Sequence, residues 1–137
     1  MSLFVADANA VLATLFHEGG SMLQRFEERI GLGDRLAVPG LWHLEVTNVL
    51  LNKLRRKMMT QEDATASFEA FQNFRVRTDL YSAEPSVISH LWRLALKHQL
   101  TSYDAAYLEL ALRLDCPLLT DDAALLRAAA QENVKLL

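Results

Sequence analysis

At 137 residues, 51% of them hydrophobic, the chain has the size and apolar content of one domain spanning 1–137 around a single core. Its net charge of −3 excludes a surface coated in basic residues, so any nucleic-acid contact has to rest on a local patch or on bound cations. No run reaches the roughly 18 to 20 apolar residues of a membrane span, and the start, MSLFVADANAVLATLF, has no basic leader, so a cytoplasmic protein without membrane contact is expected.

In chain order, Leu3 to Ala6 reads as a buried first strand with Asp7 just past its end, and Asn9 opens a helix through Phe16. The Gly19-Gly20 pair breaks that helix. Met22 to Ile30 forms a second one, with Leu23, Phe26 and Ile30 on one side and Gly31 and Gly33 marking its end. Neither GxGxxG nor GxxxxGK[ST] is present, so these glycines form no phosphate loop and a nucleotide-cofactor enzyme loses most of its support.

Leu36 to Val38 reads as a second strand ending at Pro39, followed by a long helix from Leu41 to Lys57. Trp42, Val46, Val49, Leu50 and Leu54 make its apolar stripe, while Leu41, Glu45, Asn48 and Asn52 lie along an adjacent face. Its end gathers Lys53, Arg55, Arg56 and Lys57. Those cations either oppose the negative end of the helix dipole or contact phosphates.

Thr60 to Asp63 is a capping-box pattern that starts a helix through Ala64, Phe68, Phe71 and Phe74. The helical spacing of the phenylalanines suits a core or a dimer surface better than a base-stacking platform. An extended stretch from Arg77 to Ala83 follows, with Leu80 and Tyr81 as a third strand, and then a helix from Pro85 through Ile88, Leu91, Trp92, Ala95 and Leu96.

The stretch LTSYDAAYLELALRLDCPLLTDD carries the next three elements. Thr101 can cap a helix in which Asp104 falls in the first turn and Tyr107, Leu108, Ala111 and Leu112 recur at helical spacing; Pro117 stops it. Leu118 to Thr120 is apolar enough for a buried parallel strand that delivers Asp121 and Asp122 to its C-terminal end. Cys116, the lone cysteine, excludes an internal disulfide, makes a poor zinc site without HExxH, and reads as a small buried hydrophobe. A helix from about Ala123 to Ala130 and a last strand from Val134 to Leu137 close the chain. Alternating strands and helices with short connections predict an α/β fold: a three-layer α/β/α sandwich around a mainly parallel sheet.

Each acid has an ordinary explanation. Asp7 can cap the first helix, Glu45 can be an exposed helix residue, Asp104 can complete the box with Thr101, and Asp122 can favour a helix N-terminus. Their placement suggests more, because strand ends and the adjoining helix starts meet where α/β proteins bind ligands. Four carboxylates brought together repel unless a cation neutralises them, and oxygen donors alone favour Mg²⁺ or Mn²⁺ and phosphoryl chemistry.

VADANAVLATLF, VPGLWHLEVTNVLL, LTSYDAAYLELALRL and CPLLTDDAALLRAA, taken in this order, resemble the successive motifs of PIN-domain ribonucleases, most closely the VapC-type toxins of toxin-antitoxin pairs. The resemblance spans nearly the whole chain. It implies a metal-dependent endoribonuclease acting on RNA with Mg²⁺ or Mn²⁺, a homodimer, and a cognate antitoxin. By position it makes Asp7, Glu45, Asp104 and Asp122 the catalytic acids, with Asp7, Asp104 and Asp122 on the metal and Asn9 and Thr120 in support. Asp121 is an added acid beside the fourth position, and the spacing from Thr120 favours Asp122. Competing readings are a catalytically silent module that binds RNA or a partner helix, a metal-dependent phosphatase, and a DNA nuclease.

Overall fold

The computed structural model describes residues 2–18 and 20–137. Among them four strands, β1 (Leu3–Ala6), β2 (Arg35–Val38), β3 (Val76–Thr78) and β4 (Leu118–Leu119), form one sheet in the order β3-β2-β1-β4 with every pair parallel. Phe4 to Ala6, Leu36 to Val38 and both residues of β4 are buried. Strands covered on both faces need continuous apolar runs, and these short segments supply them.

Among the described residues seven helices surround the sheet: α1 (Ala8–Phe16), α2 (Gly20–Gly31), α3 (Leu41–Arg55), α4 (Gln61–Gln72), α5 (Pro85–His98), α6 (Ser102–Leu114) and α7 (Ala123–Gln131). Helix α1 packs on α2, α3 and α4, whereas α5 pairs with α6 and α7 lies against α6. The result is the expected three-layer α/β/α sandwich. Its core joins Phe4, Phe26, Trp42, Tyr107, Leu108 and Leu110, with Phe4 meeting Phe26 edge-on at 5.9 Å between ring centres.

Several element ends depart from expectation for local reasons. The third strand is Val76–Thr78, not Leu80 and Tyr81, which are exposed. Asp79 donates its N–H to Val38 O, and its carboxylate then accepts the Tyr81 N–H at 3.2 Å, an Asx-turn that ends the strand before the apolar pair. Val134 to Leu137 makes a single parallel bridge, Leu118 with Leu136, because β4 offers only two residues for pairing. Helix α3 stops at Arg55, and Lys57 takes a left-handed turn at φ 57°. Helix α4 ends at Gln72, yet Phe74 still stacks on Phe26 at 5.6 Å. Asp115, left-handed at φ 50°, ends α6 before Pro117 is reached. Helix α1 begins at Ala8 with Asp7 as its cap, and α2 runs from Gly20; Gly19, half of the expected glycine break, lies outside the described residues.

Candidate active site

The C-terminal edge of β1 places Asp7 as expected, almost wholly buried at 8% exposure. Its Oδ1 accepts the Asn9 N–H at 3.1 Å, which caps α1, and its Oδ2 accepts the Thr120 hydroxyl at 2.6 Å from the end of β4. Thr120 in turn accepts the Asp122 N–H at 3.1 Å, and Asp122 Oδ1 accepts the Leu125 N–H at 2.8 Å to cap α7. One chain of hydrogen bonds therefore ties the first acid to the fourth across two adjacent strands. The ordinary reading of Asp7 and Asp122 as helix caps holds, and the same geometry brings them into a shared site.

Glu45, half-buried in α3, meets α6 through Tyr107, whose hydroxyl donates to Oε1 at 2.7 Å. Asp104 stands in the first turn of α6, where Thr101 caps by accepting the Asp104 backbone N–H at 3.1 Å. That bond uses the backbone N–H, and the Asp104 carboxylate itself also feels the Thr101 hydroxyl.

Asp7, Glu45 and Asp104 are each raised in part by the charge of a neighbouring acid. Burial pushes the Asp7 carboxyl up to about 6, and the charges of Asp104 and Glu45 add to the rise against the opposing Thr120 and Asn9 bonds. Glu45 is raised by burial and by Asp104, with the Tyr107 bond opposing. Asp104 is raised by burial and by Asp122, with Thr101 opposing. The Tyr107 hydroxyl, buried and beside Glu45, is held protonated and therefore remains a donor.

Not every expected member joins. Asp121 turns to Arg25 Nη2 at 2.7 Å, which compensates its charge away from the cluster, and the neighbouring guanidinium nitrogen donates to Leu137 O. Asp122 is thus the acid whose charge reaches Asp104. Asn9 contributes its backbone to Asp7, and its exposed residue lines a cleft of about 370 Å³ with Phe16, Val49, Lys53 and Asp121. Lys53 Nζ lies 4.5 Å from the centre of the Phe16 ring, a cation–π contact at that cleft, while Arg55, Arg56 and Lys57 are exposed beyond it.

Asp7, Asp104 and Asp122 do not form a closed triad: among the described residues, no three His, Cys, Asp or Glu side chains converge closely enough to hold one ion. Like charges favour separation, and Asp7 and Asp122 have each taken protein donors. The chemistry of the donor set nonetheless suits a hard cation, since every candidate ligand is a carboxylate oxygen. Tyr107 and Arg25 escaped the sequence reading. Tyr107 falls three residues after Asp104 on the same helix, a spacing that shares a face, but its apolar neighbours made it read as core.

An all-parallel sheet between helices, its C-terminal edge lined by acids from β1, α3, α6 and the end of β4, defines the class: an α/β/α domain with an acidic sheet edge. Residues 4–131 match the PIN domain family, and the chain belongs to that family. It is 32% identical to Ribonuclease VapC3 of Pyrobaculum aerophilum over 88% of this chain and 90% of that one. To Ribonuclease VapC1 of Mycobacterium tuberculosis it is 33% identical over 90% and 89%. The fold is similar to a chain in the crystal structure of VapBC2 from Rickettsia felis bound to a DNA fragment from their promoter, with a TM-score of 0.69 at 14% identity over 98% of this chain and 97% of that one. Among the described residues no helix is long and apolar enough to cross a membrane.

Proposed function

We propose that this chain is a VapC-type ribonuclease, an endonuclease that hydrolyses RNA phosphodiesters with Mg²⁺ or Mn²⁺ and is paired with a protein antitoxin. The observation that carries the reading is the coupling of Asp7, Glu45, Asp104 and Asp122 at one sheet edge, with Thr120 bridging Asp7 and Asp122. Relatives bearing the name ribonuclease support the activity, and the VapBC2 structure supports a protein partner.

Asp7, Asp104 and Asp122 are the residues that would hold the ion, whose charge would offset their repulsion. When bound, a divalent cation supplies Lewis acidity toward a phosphodiester and helps activate water at neutral pH. The protein's own groups set the geometry. The Thr120 hydroxyl and the Asn9 N–H hold both oxygens of Asp7, the first turn of α7 holds Asp122, and Tyr107 holds Glu45. Glu45, its proton affinity raised by burial and by Asp104, is suited to take a proton from attacking water. Lys53, at the adjoining cleft with Asn9, is placed to meet a phosphate of the incoming strand.

Purified protein freed of any partner is expected to cleave RNA with Mn²⁺ or Mg²⁺, to stop with EDTA, and to lose nearly all cleavage in Asp104→Asn. Full activity after thorough chelation would remove the metal mechanism. The open spacing of the three acids favours the silent-module reading; calorimetry decides against it if Mn²⁺ binds the parent and binds Asp104→Asn more weakly.

A further inference from the structure

Helix α3 runs between two clefts. On one side Val49 and Lys53 line a cleft with Phe16 and Asn9. On the other, Leu41, Leu44, Asn48 and Leu51 line a groove of about 590 Å³ that Tyr103 joins from the first turn of α6. Glu45 belongs to the wall of that groove and, at about 3.6 residues per turn, falls on the helix between the two faces. Leu44 is 73% exposed, Tyr103 63% and Leu51 39%. Single exposed apolar residues call for no account, but three in one groove that also holds an acid of the site do.

We propose that this groove holds one nucleobase of the RNA beside the scissile phosphate, stacked on the ring of Tyr103 with the Asn48 amide at its edge, a role that rests on the ribonuclease reading of the site. Tyr103 directly precedes Asp104, and neighbouring Cα atoms are about 3.8 Å apart, so a phosphate held at Asp104 has its own nucleoside within reach of the ring. Glu45, which shares the groove, ties it to the site from the α3 side. A base offers two flat faces and a polar edge. An aromatic ring takes one face whatever the base, and Leu44 and Leu51 supply hydrocarbon for the other. The exposed Asn48 carries a donor and an acceptor side by side, the pattern that pairs with a base edge.

The lining favours a base over the apolar face of a protein. Hydrocarbon laid into the groove would cover Glu45 and Asn48 without giving either a partner, which is costly, whereas a base edge gives Asn48 one. The volume falls in the range of sites that hold small ligands. None of the lining residues is a cation, which suits a neutral base, while Lys53 in the opposite cleft is the charge that a phosphate would take. The strand would thus cross α3 at Glu45, a base turned to one side and a phosphate to the other.

The test uses a short unstructured RNA of mixed sequence, cleaved by the full chain with Mn²⁺. Tyr103→Ala should raise KM about tenfold or more and leave kcat within about threefold, with its melting temperature kept, while Tyr103→Phe, which retains the ring, should restore the parent KM. An abasic nucleotide is then placed on each side of the mapped cleavage position in turn. At one of the two it should cost the parent the same factor in KM and cost Tyr103→Ala nothing further, because both changes remove one contact. Asn48→Ala should flatten the preference among the four bases at that position. A Tyr103→Ala variant with the parent's KM, a Tyr103→Phe variant as impaired as Tyr103→Ala, losses that simply add, or a base preference unmoved by Asn48→Ala each overturn the proposal and leave the nuclease reading standing. A parent that cleaves no RNA overturns both. If Tyr103→Ala keeps the KM but changes the mass of the chain in light scattering or its hold on a partner protein, the groove serves protein packing and the base site is overturned.

Discussion

Asp7 shows how one side chain serves both fold and site. It caps α1 and accepts the Thr120 hydroxyl, yet it is buried among like charges, and its carboxyl is pushed up to about 6 from an ordinary 3.8. The folded chain therefore holds a proton that the unfolded chain gives up. The stability that Asp7 contributes is greatest below about pH 4, falls as pH rises through about 6, and is flat above, a loss on the order of 3 kcal/mol. Asp7→Asn keeps a capping oxygen without the charge. In EDTA at pH 7 it should be more stable than the parent by about 1–3 kcal/mol, with the gain vanishing at pH 4; denaturant titrations at the two pH values measure this, and a gain independent of pH contradicts it. Tyr107→Phe removes only the hydroxyl that donates to Glu45. Stability should fall by roughly 1–2 kcal/mol and kcat by about tenfold with KM little changed, since Glu45 loses its orientation and not its charge. Steady-state cleavage kinetics together with a melting curve check both parts.

Between elements, the load falls on Arg113 near the end of α6. Its guanidinium donates to both oxygens of Glu109, each at 2.8 Å, and to both oxygens of Asp79 at 3.0 and 2.7 Å. Asp79 is the residue that ends β3, so one side chain fastens the far edge of the sheet to the helix that carries Asp104 and Tyr107. Arg113→Ala leaves Glu109, whose side chain is 3% exposed, without its cation. A cost of roughly 3 kcal/mol is expected in urea denaturation at pH 7. Arg113 holds the Asp79 carboxyl below its ordinary value. That contribution is present above about pH 4 and is lost as pH falls through the folded value, so the gap between parent and variant should narrow at pH 3. A gap unchanged by acid would mean that packing of the arginine stem, and not its charge, holds the turn.

Across the whole molecule, a chain of net charge −3 with an acidic sheet edge has to attract a polyanion. Lys53 lines the cleft and Arg55, Arg56 and Lys57 are exposed beyond it, and these four are the proposed phosphate contacts. Changing all four to alanine should weaken RNA binding and flatten its dependence on log salt by up to about 3, at roughly 0.7 per lost phosphate contact on a single strand. Lys53→Ala alone should account for about one contact. Binding isotherms at four or five salt concentrations measure the slope, and an unchanged slope returns these residues to a solvated helix end.

The α/β class, most helices and the placement of the four acids near element ends were legible in the sequence because each rests on local chemistry: buried parallel strands read as apolar runs, caps as Thr or Asp before a helix, and breaks as Gly or Pro. Asp7 and Asp122 stood out because a strand end is visible from one side of the chain. What tertiary structure alone decided is which neighbours each group met. Leu80 and Tyr81 read as a strand, yet Asp79 turned the chain before them, and Val134 to Leu137 lacked the partner length in β4 to form more than one bridge. Asp121 and Asp122 are alike in sequence; Arg25, 96 residues away, draws one outward and leaves the other to face Asp104. Tyr107 read as core until α3 brought Glu45 to its hydroxyl, 62 residues away in the chain. Propensity and periodicity act over a few residues, whereas the pairing of charges and hydroxyls depends on distances that only the packed chain creates.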